Sequence, residues 1–114
     1  MAHILIVDED TDVLRLLHAK LSYVGYTVRQ ARNGSEALQR IAEQAPDSVI
    51  TELAFPDYTG AALITELRMA SPHSLLLVLS GQADDSDITT ILAAGATDFL
   101  SKPFSPQSCW SACG

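Results

Sequence analysis

The sequence predicts an α/β domain built on a five-stranded, parallel, doubly wound sheet. Five short apolar or β-branched runs recur at similar intervals, and segments with helical periodicity separate them. Several of the runs are apolar on both alternating faces, the pattern of parallel strands covered by helices on each side. Alternation of this kind implies right-handed crossovers, and it sends ligands to the carboxyl ends of the strands.

The strands are expected at His3 to Val7, Thr27 to Ala31, Ser48 to Leu53, Leu75 to Leu79 and Asp98 to Leu100. Ile4-Leu5-Ile6-Val7 and Leu75-Leu76-Leu77-Val78-Leu79 are the two runs with no polar face. The first helix carries Val13, Leu14, Leu17, Leu21 and Val24 on one stripe, with Thr11 or Asp12 as its cap and Gly25 as its stop. The second starts at Ser35, turns Ala37, Leu38 and Ile41 inward and ends before Pro46. A third carries Ala62, Leu63, Ile64 and Leu67 and closes before Pro72. A fourth carries Ile88, Ile91 and Leu92 and closes at Gly95. After Phe104, residues 105–114 offer a Ser-Pro helix start but only about two turns of weakly amphipathic sequence, so the last helix reads as short or truncated. The domain core is accordingly residues 1–104, with 105–114 as a tail.

A chain of 114 residues has room for one core. With 47% apolar residues and 6% aromatic ones, that core is aliphatic, not disordered or fibrous. Seven Lys and Arg against fourteen Asp and Glu leave a net charge of −7, which repels the phosphate backbone and argues against direct nucleic-acid binding. The first apolar run is far shorter than the ~20 residues a membrane span needs, and nothing resembles a signal peptide, so a cytoplasmic location without membrane contact is expected. Cys109 and Cys113 lie in the last six residues, outside any framework that could staple the fold, and are read as incidental thiols. His3, His18 and His73 are scattered and carry no ligand spacing. Trp110 is either an anchor for the tail or a by-product of where the chain stops.

Candidate chemistry collects where the fold predicts it. Asp8-Glu9-Asp10 follow the first strand, Glu52 falls at the end of the third, Ser80 follows the fourth and Lys102 follows the fifth. Carboxylates brought to ~5 Å repel by about 3 kcal/mol per pair at an effective dielectric of 20, so the cluster calls for a compensating cation. Mg²⁺ suits it, being a hard ion that takes oxygen ligands and retains waters. Lys102 and Ser80 would offer a charge and a hydroxyl to phosphoryl oxygens. Helix capping accounts for Asp10, Thr11 and Asp12 by itself, but not for Glu52 closing an apolar strand or for Lys102 before Pro103.

Ile4-Leu5-Ile6-Val7-Asp8-Glu9-Asp10, Pro46-Asp47 through Glu52-Leu53 to Pro56, Ser80 and Lys102-Pro103-Phe104 together resemble the motif series of bacterial response-regulator receiver domains, the chemotaxis-regulator type included. The resemblance covers residues 3 to about 104. It implies a flavodoxin-like sheet of order 2-1-3-4-5, a role in two-component signal transduction without enzymatic turnover, and a sensor histidine kinase or phosphotransfer protein as partner. It also implies a downstream effector protein or fused output domain. Carried over by position, Asp8 and Glu9 match the acidic pair and Glu52 the phosphoacceptor. The backbone carbonyl of Ala54 matches a metal ligand, Ser80 and Phe99 the hydroxyl and aromatic switches, and Lys102 the phosphate-binding lysine.

Glu52 departs from the family, which has Asp there. One more methylene displaces the carboxylate by about 1 Å or more, enough to cost about a hundredfold in a positioned reaction. The expectation is a phosphorylation-independent or phosphomimetic module that binds Mg²⁺ weakly. The alternatives are residual phosphoacceptance by a carboxylate of the pocket, and a Mg²⁺-dependent phosphohydrolase. Asp8-x-Asp10 resembles the nucleophile motif of haloacid-dehalogenase-type phosphatases, but those enzymes place a lysine before a late acidic pair, whereas Asp84-Asp85 precede Lys102 here. A short tail would also leave the fourth helix and fifth strand uncovered, so a homodimer through that face is expected.

Overall fold

The computed structural model describes residues 2–52, 55, 57, 60–80 and 85–101, without the side chains of residues 80, 85–87, 100 and 101. Five strands, β1 (His3–Val7), β2 (Thr27–Ala31), β3 (Ser48–Glu52), β4 (Leu75–Ser80) and β5 (Asp98–Ser101), form one sheet in the order β2-β1-β3-β4-β5. All four pairings are parallel. Between them run α1 (Thr11–Val24), α2 (Gly34–Glu43), α3 (Gly60–Ala70) and α4 (Asp85–Ala94). The expected α/β class, strand order and doubly wound arrangement are what the chain adopts.

The sheet separates two layers of core, and the alternation of β1 shows how. Leu5 and Val7 face a cluster with Ala37 and Ile41 of α2, Leu63, Ile64 and Leu67 of α3 and Ile91 of α4. Ile4 and Ile6 face the opposite cluster, with Leu14, Leu17 and Leu21 of α1 and Leu77 and Leu79 of β4. All five residues of β1 are buried, because a central strand covered on both faces leaves no side for water.

The amino ends of three strands are tied by one residue. Asp47 accepts a hydrogen bond from the His3 N–H through Oδ2 (2.7 Å), donates its own N–H to the His3 carbonyl (2.8 Å) and accepts from Leu75 N–H through its carbonyl (3.0 Å). These bonds fix the register of β1, β3 and β4 at the end opposite the candidate site.

Several local expectations are corrected. The cap of α1 is Asp10, not Thr11 or Asp12: Asp10 has extended backbone and its carboxylate accepts from Asp12 N–H. Three successive residues there can all cap, and the side chain that reaches a free N–H two positions on takes the role. The second helix begins at Gly34 behind Asn33, whose side chain accepts from Glu36 N–H, one residue before the expected start. Val24 is 45% exposed, since it sits at the margin of the α1 stripe beside the chain exit at Gly25. Ala62 is exposed, because the stripe through Leu63, Ile64 and Leu67 leaves position 62 on the other side of α3. In α4, Ile91 is buried and Ile88 half-buried, but Leu92 is 42% exposed. The expected tail or truncated helix at 105–114, with Trp110, Cys109 and Cys113, lies outside the described residues.

Candidate functional site

The register brings the expected acidic residues to one edge of the sheet. Val7 is opposite Thr51, so the next residues on each strand, Asp8 and Glu52, come to the carboxyl edge side by side. Glu52 is in turn opposite Leu79, and Ser80 follows it, in register with Ser101 of β5. Lys102 is the residue after Ser101; it and Ala54 lie outside the described residues, as does the Ser80 side chain.

Asp8 is held from two directions. Its N–H donates to the Ala31 carbonyl (3.1 Å), carrying the β1–β2 ladder one residue past the strand, and its Oδ1 accepts from Asp10 N–H (2.9 Å). The residue is 4% exposed, whereas Glu9 and Asp10 are exposed and Glu52 is half-buried. Asp8, Asp10 and Asp12 gather at the amino end of α1, where the helix dipole favours negative charge. Thr51, fully buried, donates its hydroxyl to the Glu52 carbonyl (2.9 Å) as the chain leaves β3. Phe99 stands opposite Val78 and packs, half-buried, on the cluster shared by α2, α3 and α4.

The donors at this edge are oxygens, the type a hard divalent cation takes. Among the described residues, however, no three His, Cys, Asp or Glu gather closely enough to hold a metal ion.

One contact beside the site is not legible from spacing. Asp57, between β3 and α3, lays its carboxylate across the amino end of α2, accepting from Ser35 N–H and Ser35 Oγ (both 2.9 Å) and from Gly34 N–H (3.3 Å). These bonds, the Ser35 N–H first, hold the Asp57 carboxyl below its usual range. The only hint in the sequence is an acidic residue after Pro56; its partner is 22 positions away.

The family model for response regulator receiver domains matches residues 4–113. The chain is 39% identical over 106 residues to the transcriptional regulatory protein KdpE of Mycobacterium tuberculosis, covering 91% of this chain and 46% of that protein. It is likewise 39% identical over 101 residues to the response regulator MprA of Mycobacterium ulcerans, covering 89% and 44%. The chain thus spans less than half the length of these relatives. Among solved structures, it superposes with a TM-score of 0.93 and 28% identity on a response regulator from Burkholderia pseudomallei described with a phosphorylated aspartic acid, a calcium ion and citrate, covering 100% of this chain and 67% of that one. Chemotaxis protein CheY4 of Vibrio cholerae matches with a TM-score of 0.90 and 28% identity over 97% of this chain and 94% of its own. No helix among the described residues is long and apolar enough to cross a membrane. With the family's sheet order, the acidic residues at its carboxyl edge and a family match across nearly its whole length, the chain belongs to the response regulator receiver domains of two-component systems.

Proposed function

We propose that this receiver domain signals without ordinary phosphotransfer, because Glu52 stands where the family's acceptor aspartate would stand. The observation that supports this reading is the adjacency of Asp8 and Glu52 at the ends of β1 and β3, where the resemblance puts the acidic pair and the acceptor. A Glu there carries permanent negative charge further from the backbone than an Asp, towards the place an aspartyl phosphate would fill, though with less charge than phosphate. Ser80 and Lys102 would read that charge, and Phe99 would respond as the aromatic switch. Mg²⁺ would be held weakly, by Asp8, Glu9, Glu52 and the Ala54 carbonyl, with waters completing the shell. A sensor histidine kinase or phosphotransfer protein would dock without transferring, or transfer poorly. The consumer of the signal would be an effector protein or fused output domain, and the working location the cytoplasm. Exposed Leu92 supports the α4 and β5 face as a contact surface, including one for a second copy.

A second reading is residual phosphoacceptance by a carboxylate of the pocket, supported by Asp8 and Glu52 ending neighbouring strands at the same edge. Incubation with acetyl phosphate followed by intact-mass analysis separates the two. The proposal expects the unmodified mass and no turnover of the donor. A stable phosphoryl adduct supports the second reading, and turnover without adduct supports a phosphohydrolase.

A further inference from the structure

Four of the seven Lys and Arg residues of this acidic chain, Arg15, Arg29, Arg32 and Arg40, line one continuous groove along the open edge of β2. The groove consists of a recess of about 520 Å³, with His18 from α1 on one side and Arg40 from α2 on the other, and a second of about 320 Å³ that reaches Arg15. Gln30 and Arg32 belong to both. The strand has only β1 as a neighbour, so its outer backbone edge faces the groove.

Two of these arginines already hold a carboxylate at the margin of the groove. Glu43 Oε1 accepts from Arg29 (2.6 Å) and from Arg40 (3.4 Å), and Arg29 above all holds the Glu43 carboxyl below its usual range. Arg40 also donates from Nε to the outward carbonyl of Gln30 (3.5 Å), and Gln30 shares a hydrogen bond with His18 (2.9 Å). The second arginine pair differs. Arg15 and Arg32 are both exposed, and neither has an acidic partner among the described residues; the one acidic side chain lining the recesses, Glu36, leaves the cations in excess. Both line the second recess, where an anion can meet two guanidiniums.

We propose that the β2 edge is a docking groove for an acidic, extended segment of a partner protein. Its carboxylates seat on Arg15 and Arg32 as Glu43 seats on Arg29 and Arg40, and its backbone lies along the unpaired edge of β2. Carboxylate is favoured over other anions because the neighbouring arginine pair shows that chemistry in place. An extended segment is favoured because no strand covers the β2 edge; its Gln30 carbonyl, which accepts from Arg40, would be shared or released on docking. The second recess reaches Thr11 beside the Asp10 cap, so the groove opens next to the acidic edge, but Glu52 does not line it and the inference does not rest on the reading of Glu52.

The test uses the whole chain and three probes: a short peptide of alternating Glu and Thr, the same peptide with Gln for Glu, and pyrophosphate. The acidic peptide is expected to shift the amides of His18, Gln30 and Arg32. Replacing Arg15→Glu and Arg32→Glu together should weaken its binding at least tenfold, with an unchanged melting profile because both side chains are exposed. Equal shifts with the Gln peptide, a response to pyrophosphate but not to the acidic peptide, no shift with any probe, or undiminished affinity in the double variant would each overturn the proposal.

Discussion

Arg68 donates from Nε to the Gly95 carbonyl over 2.9 Å, and its Cγ lies 2.9 Å from where a Cβ on residue 95 would be. The same guanidinium donates to the carbonyls of Ser71, Pro72 and Ser74 and to the Thr97 hydroxyl, so one α3 side chain ties the α3–β4 and α4–β5 connections together. Gly95 has φ +127°, a backbone that side chains rarely adopt. Gly25 has φ +114° with no atom within 4 Å of the corresponding Cβ. Gly25→Ala is therefore expected to cost about 1–2 kcal/mol from backbone strain alone. Gly95→Ala should cost more, because Arg68 must also be pushed from its carbonyls. Urea unfolding of the two variants checks this, and equal losses would show that the Arg68 contact carries no weight.

The Asp57 contact with Ser35 predicts a pH dependence. The folded carboxyl titrates below the unfolded value of 3.8, so its contribution is present above that value and is lost as pH falls through the lower folded value. Asp57→Asn is expected to lower the thermal midpoint at neutral pH, and the gap from the parent should close in strong acid. Melting curves across the acid range give the result. A gap that persists below the folded value would assign the effect to shape and not to charge.

His3 is buried, and both of its ring nitrogens lack a hydrogen-bond partner among the described residues. Burying polar atoms without partners costs about 1–3 kcal/mol. His3→Leu removes them at similar volume while leaving the backbone bonds to Asp47 in place, so a gain of about 1 kcal/mol is expected from denaturant titration. A loss would mean that the imidazole is held by contacts that a leucine cannot make.

Strands and helix faces were legible in the sequence because each depends on local periodicity: Ile4 to Val7 has the pattern of a strand covered on both sides, and Leu14, Leu17 and Leu21 that of one face of a helix. The acidic edge was legible too, since topology sends strand ends to one side and Asp8, Glu52 and Ser80 each end or follow a strand. Contacts between distant segments were not. Asp57 on α2, Arg68 across two connections and Asp47 across three strands pair residues up to 44 positions apart, and no local pattern marks such partners. The arginine groove was hidden for the same reason, because Arg15, Arg29, Arg32 and Arg40 meet only when α1 and α2 flank β2.

Titration with Mg²⁺ reports on the carboxylates independently of any phosphoryl donor. Weak binding is expected, with amide shifts concentrated around Asp8, Glu9 and Glu52, because Asp8 and Glu52 end neighbouring strands but no three such donors gather among the described residues. The shifts should shrink in Asp8→Asn. Absence of any change near Asp8 would show that adjacency of these side chains does not amount to a cation site.

The most direct test of the Glu52 reading is labelling of Glu52→Asp by acetyl phosphate, followed by intact mass, beside the parent chain. Shortening the side chain by one methylene should restore the acceptor geometry and raise the labelling rate about a hundredfold, equivalent to about 2.7 kcal/mol in the barrier. The parent should remain unlabelled, and adding Lys102→Ala to the variant should remove much of the gain. Labelling of the parent at the rate of the Asp variant would contradict the account, and so would an Asp variant that stays unlabelled while still binding Mg²⁺.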